Sequence, residues 1–176
     1  MTTQEATLVA AVVAAMASLA KLFFDRFAEG RSSARELLQP LISEMGESAY
    51  GIVATCTVLV EAESPQKFKS WYAKACRERE KLKSLRPKLR YPLWGIDEGL
   101  RVLVRLPDWC SHARSERARA YRLLNHATSL RHMLDVVALR CYRGGRQPNF
   151  IERMQVRYHS WRCRQIFDGG KECSVQ

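Results

Sequence analysis

Residues 6–24, ATLVAAVVAAMASLAKLFF, form an apolar run in which Lys21 is the only charge. Beyond it, apolar positions recur with the three-to-four-residue spacing of amphipathic helices, cut into helix-sized pieces by proline and glycine. The first helix extends to about residue 39, where Pro40 stops it or starts the next. Residues 41–62 place Leu41, Met45, Ala49, Ile52, Val53, Cys56 and Val60 on one side. The later half of that stretch, GIVATCTVLV, also suits a buried strand, but no partner strand stands out, so a helix is expected.

Ser64-Pro65 has the form of a helix start: a capping hydroxyl, then a proline whose missing N–H is not needed in the first turn. Phe68, Trp71, Tyr72, Ala75, Leu82 and Leu85 give this helix an apolar stripe, and Pro87 and Pro92 bracket a break after it. A shorter helix carries Leu93, Trp94, Ile96, Leu100, Leu103 and Val104 up to Pro107, and Asp108 is placed to cap the next. That one ends at Gly144-Gly145. Pro148 opens a last helix striped with Phe150, Ile151, Met154, Tyr158 and Trp161. The expected fold is all-α: a long N-terminal helix that spans a membrane, then an antiparallel bundle of about five helices.

The apolar run is just long enough to span, since a spanning helix needs roughly 20 apolar residues and Lys21 can snorkel toward headgroups. Its alanine richness fits a buried core helix as an alternative, because Ala contributes little to insertion. Lys21 lies at the end of the run, Arg26, Arg31 and Arg35 follow it and only Glu5 precedes it, which puts the N-terminus outside and the rest in the cytoplasm. Residues 1–27 are thus expected to anchor and 28–176 to form a basic cytoplasmic domain. Ala6, Ala10, Ala14 and Ser18 make a small-residue row of the kind that brings two membrane helices together, so a homo-oligomer is a further expectation.

Charge sharpens this. The 176 residues carry 29 Lys+Arg against 18 Asp+Glu, net +11, with 47% apolar and 27% charged positions, a globular composition that excludes wholesale disorder. Residues 1–62 are slightly acidic, and the excess peaks in residues 67–90, where ten cations face only Glu78 and Glu80. The candidate contacts there are Lys67, Lys69, Lys74, Arg77, Lys81, Lys83, Arg86, Lys88 and Arg90. Near a membrane they would attract anionic lipid headgroups; in a soluble protein they would attract nucleic acid. A solvated face balanced by an acidic protein partner is the third possibility. Twenty-one of the 29 basic residues are Arg, which fits either phosphate binding or a coding bias.

Catalytic chemistry finds little support. Cys56, Cys76, Cys110, Cys141, Cys163 and Cys173 show no zinc-finger spacing, and most fall on apolar helix faces, as reduced structural thiols do. The four histidines make no i,i+4 pair, so neither metal nor cofactor is expected. Asp108 with His112, and His132 with Asp135, are spaced for helix-surface contacts. Arg143 and Arg146 flank Gly144-Gly145, which could hold an anion but more simply marks a helix stop. The terminal Cys-Ser-Val-Gln loosely fits a prenylation box. The leading expectation is a non-enzymatic, membrane-anchored scaffold, sensor or effector touching anionic lipid and an unidentified protein. A soluble nucleic-acid-binding protein comes second, and an enzyme using His126 or His132 third.

Overall fold

A computed structural model describes residues 38–90, 93–144 and 146–169, together with Met16 and Glu36. Residues 6–24, apart from Met16, lie outside the described residues, and with them the proposed anchor and the row Ala6, Ala10, Ala14 and Ser18. Among the described residues no helix is long and apolar enough to cross a membrane, and there is no strand.

Among the described residues five helices make the fold: α1 over residues 38–61, α2 Pro65–Arg90, α3 Asp97–His112, α4 Arg117–Gly144 and α5 Phe150–Asp168, with a 3-10 turn at Ala113–Ser115. They belong to one compact unit, Leu38–Gln176.

α1 buries Met45, Ala49, Ile52, Val53, Cys56, Leu59 and Val60, which recur at heptad spacing. Its β-branched half is helical, and Thr55 and Thr57 turn their hydroxyls back onto the carbonyls of Gly51 (2.6 Å) and Val53 (3.0 Å) instead of competing for the ladder. α1 runs antiparallel to α4. Tyr142 donates to Gln39 Oε1 at 3.2 Å, Arg131 lies over the Tyr50 ring, and Tyr121 reaches Glu61 at 3.4 Å, so the register holds along the whole seam. α3 sits at the centre and touches α2, α4 and α5. It buries Leu100, Leu103, Leu106, Trp109 and Cys110.

Two prolines, Pro87 and Pro107, depart from their expected roles as breaks. Pro40, expected to stop one helix or start the next, lies near the start of the described part of α1, and Pro87 lies inside α2; both are exposed, where water can take the hydrogen bond a proline ring removes. Pro107 lies inside α3, between buried Leu106 and Trp109. Burial of those neighbours offsets the roughly 3 kcal/mol that an interior proline costs. Asp108 is consequently not a cap; the chain turns later, at Glu116.

The largest difference concerns α5. The sequence stripe Phe150, Ile151, Met154, Tyr158 and Trp161 does not enter the core. The helix buries Glu152, Val156, Ser160 and Cys163 instead. Its rotation is fixed at both ends. Asn149 accepts from the Glu152 N–H at 2.8 Å while Glu152 accepts from the Asn149 N–H at 2.9 Å, a reciprocal capping box. Arg146 closes a two-pronged pair on the same carboxylate, both contacts at 2.8 Å. At the other end Arg119 donates to the carbonyls of Ile166 and Phe167. In between, Gly99 of α3 opens the space that Val156 fills: a Cβ there would lie 2.9 Å from Val156 Cγ1.

Candidate functional site

α2 is held to the bundle by a narrow edge, Ala75, Leu82, Leu85 and Leu89, with Phe68, Trp71 and Tyr72 partly buried. A helix so narrowly buried leaves two flanks for cations. At ~100° per residue, Lys67, Lys74, Arg77, Lys81 and Lys88 fall in one arc that runs ~30 Å along the axis, and Lys69, Lys83 and Arg90 fall on the opposite flank. All eight are exposed. Lys67, Lys69, Arg77, Lys88 and Arg90 have no ion-pair partner among the described residues. Lys81 and Lys83 pair with Glu78 and Glu80 one turn back, at 2.9 and 2.8 Å, and Lys74 sits 4.0 Å over the Trp71 ring.

Arg86, the ninth candidate, does not belong to this surface. Its guanidinium turns inward onto Asp97 of α3, which Arg101 also engages at 2.7 Å. Burial of Asp97 pushes its carboxyl up, but the hydrogen bonds from Arg86 and Arg101 outweigh that and hold it below the ordinary carboxylate range. Arg79 is likewise a seam residue: its guanidinium grips Asp108 of α3 at 3.0 Å, and Tyr72 donates to the same carboxylate at 2.6 Å. That bond pushes the Tyr72 phenol up to about 12. The Asp108–His112 contact expected from spacing forms through the backbone, His112 Nδ1 meeting the Asp108 carbonyl at 2.6 Å.

Two regions that the charge count alone does not find lie on α5. One is its outward stripe, where Trp94 joins Phe150, Ile151, Met154, Tyr158 and Trp161; each leaves 46–69% of its surface in water. A groove of ≈ 400 Å³ between Trp94, Phe150, Met154, Arg153, Arg157 and Arg90 adjoins the stripe and links it to the end of α2. The other is a basic groove of ≈ 430 Å³ between α4 and α5, with Arg122, His126 and Arg162 on its walls. Burial, then the nearby charges of Arg162 and His159, push His126 below its usual pKa, and burial does the same to His159. Both rings are therefore neutral at pH 7. Arg162 Nε and His159 Nδ1 are buried without a hydrogen-bond partner.

The interior holds several thiols. Cys56, Cys110, Cys141 and Cys163 are buried free thiols. The hydrogen bond that Cys56 donates to Cys110, then burial, raises the Cys56 pKa; burial lifts Cys141 to about 11 and Cys163 to about 12. At neutral pH Cys56, Cys141 and Cys163 therefore favour the protonated form, which is far less nucleophilic than a thiolate. Among the described residues no cluster of His, Cys, Asp or Glu is arranged to hold a metal. The glycine turn before α5 offers no anion cradle through Arg146, whose guanidinium is taken by Glu152. No family model, no curated protein and no solved structure matches this chain.

Proposed function

We propose that the protein is a membrane-anchored, non-enzymatic helical scaffold, sensor or effector, held by residues 6–24 with its basic domain on the cytoplasmic side, where that domain meets anionic lipid and a protein partner. The observation that carries this reading is the pair of exposed cation flanks on α2, which have few acidic neighbours while Arg79 and Arg86 are turned into the fold. Near an anionic leaflet each such cation contributes ~1 kcal/mol within a Debye length, so even a few of them outweigh the motion of an anchored domain.

The full chain is expected to sediment with membranes, to resist salt and alkali, and to need detergent for release. Recovery in the soluble fraction with residues 1–27 intact overturns the anchor. Changing Lys67, Lys74 and Lys81 to Glu should then lower the affinity of the domain for anionic vesicles at least tenfold without unfolding it, since all three side chains are exposed. Salt-sensitive retention on nucleic acid, with no binding to vesicles, would instead favour the nucleic-acid reading.

A further inference from the structure

α5 is apolar on the wrong side for a helix that ends its interactions at the core. A surface helix turns its large apolar residues inward and its polar ones to water; here the inward row is Glu152, Val156, Ser160 and Cys163, and the outward row is Phe150, Ile151, Met154, Tyr158 and Trp161. At ~100° per residue the two rows are diametrically opposed. With Trp94 beside them, six large side chains, each about half to two-thirds exposed, present roughly 700–800 Å². That exceeds the roughly 300–600 Å² of a typical monomer's largest apolar patch.

The edges of the patch identify what covers it. On one side run Arg153, Arg157 and Arg164, with Arg90 of α2 across the groove. Glu98 answers Arg164 at 2.9 Å and Arg157 at 3.4 Å, and it is the nearest acid of that flank together with Asp97. On the other side lie Arg162, whose Nε is unpartnered, and Arg122, with neutral His126 and His159 between them. No acidic residue interrupts the stripe. A second copy of the chain would bring these arginines against each other. Aromatic side chains with polar tips, an aliphatic middle and cations along both edges match a layered surface, apolar below and anionic above.

Resting on the membrane reading above, we infer that the outer face of α5 lies in the plane of an anionic bilayer, with its aromatic stripe among the upper acyl chains and its arginine flanks among the lipid phosphates. The helix would enter by the ~5–10 Å typical of interfacial helices.

Tryptophan emission tests this on the full chain. Its tryptophans are Trp71, Trp94, Trp109 and Trp161, so none belongs to the apolar N-terminal run. In a Trp71→Phe background, Trp94 and Trp161 report the face and buried Trp109 serves as the internal control. The protein is mixed with equimolar phosphatidylcholine–phosphatidylglycerol vesicles brominated in their acyl chains, and flotation and emission are read together. Flotation with loss of about two thirds of the emission is expected, because two of the three remaining tryptophans lie at acyl depth. Met154→Glu with Tyr158→Glu should restore the emission while the protein still floats and melts as before. Flotation with undiminished emission overturns the inference and leaves the anchor intact, assigning the face to an acidic protein partner; failure to float overturns both. Equal quenching by pure brominated phosphatidylcholine overturns the anionic assignment. Emission already shielded from acrylamide before lipid is added also overturns the inference, since another protein surface then covers the stripe.

Discussion

Helices α3 and α5 are in contact and share one core, yet they use their apolar residues in opposite ways. α3 turns Leu100, Leu103, Leu106 and Trp109 inward, so its sequence pattern and its packing agree. α5 turns a valine, a serine, a cysteine and a charged glutamate inward and leaves its aromatics outside. The difference teaches that an apolar stripe fixes a helix's rotation only when nothing more specific does. On α5 more specific contacts exist: the capping box, the Arg146 fork on Glu152, the Arg119 contacts with the last turn, and the gap at Gly99 that admits Val156. A buried carboxylate such as Glu152, 2% exposed, is tolerated only with its partners in place, and those partners dictate which side faces in.

The contrast can be broken most forcefully at α3. Leu103→Ala removes a side chain with no exposure and should destabilise the bundle by ~2–5 kcal/mol in denaturant unfolding. Gly99→Val acts where the two helices meet; its new side chain would overlap Val156 and Leu134, and a loss of ~1–3 kcal/mol is expected. At the start of α5, Asn149→Ala should cost about 1 kcal/mol through the lost cap.

Glu152 adds a pH signature to the same site. The hydrogen bonds from Arg146 are the main cause that holds its carboxyl below the ordinary value, so the unfolded chain takes up the proton first as the solution is acidified. Its contribution is full above the unfolded pKa of ~4.3 and is lost as pH falls through the lower folded value. Glu152→Gln should flatten that acid limb in melts recorded between neutral and acid pH. The smallest effect is expected at the outer stripe, where Tyr158→Ala should change stability by less than ~0.5 kcal/mol. A loss comparable to that of Leu103→Ala would mean the aromatic face is buried after all.

Much of the bundle was legible in the residues. The heptad on α1, the Ser64-Pro65 start, the Gly144 stop and the exposed cations of α2 follow from local pattern, and local pattern is what those features obey. The prolines misled because their penalty is local while the burial that offsets it at Pro107 comes from other helices. The stripe on α5 misled because periodicity gives a direction around a helix axis without saying what lies in that direction. A closer signal was present: Asn149 followed three residues later by Glu152 is a capping-box spacing. The arginine excess also takes on another meaning. Arg79, Arg86, Arg114, Arg119 and Arg146 use their planar forks to tie helices and helix ends together, so they are fasteners within the fold rather than binding groups.

The antiparallel seam between α1 and α4 has a consequence in time. Its contacts join Glu61 to Tyr121 and Gln39 to Tyr142, 60 and 103 positions apart. At ~5–20 residues per second on the ribosome, the seam of α1 waits roughly 5–20 seconds at its far end before the helix that covers it has been made. Until then Met45, Ile52 and Cys56 are nascent apolar surface, and α2 and α3 offer only part of their cover. The first helix of this bundle to be synthesised is therefore among the last to be completed, and the interval belongs to whatever else can hold that face: a chaperone, or an unwanted neighbour.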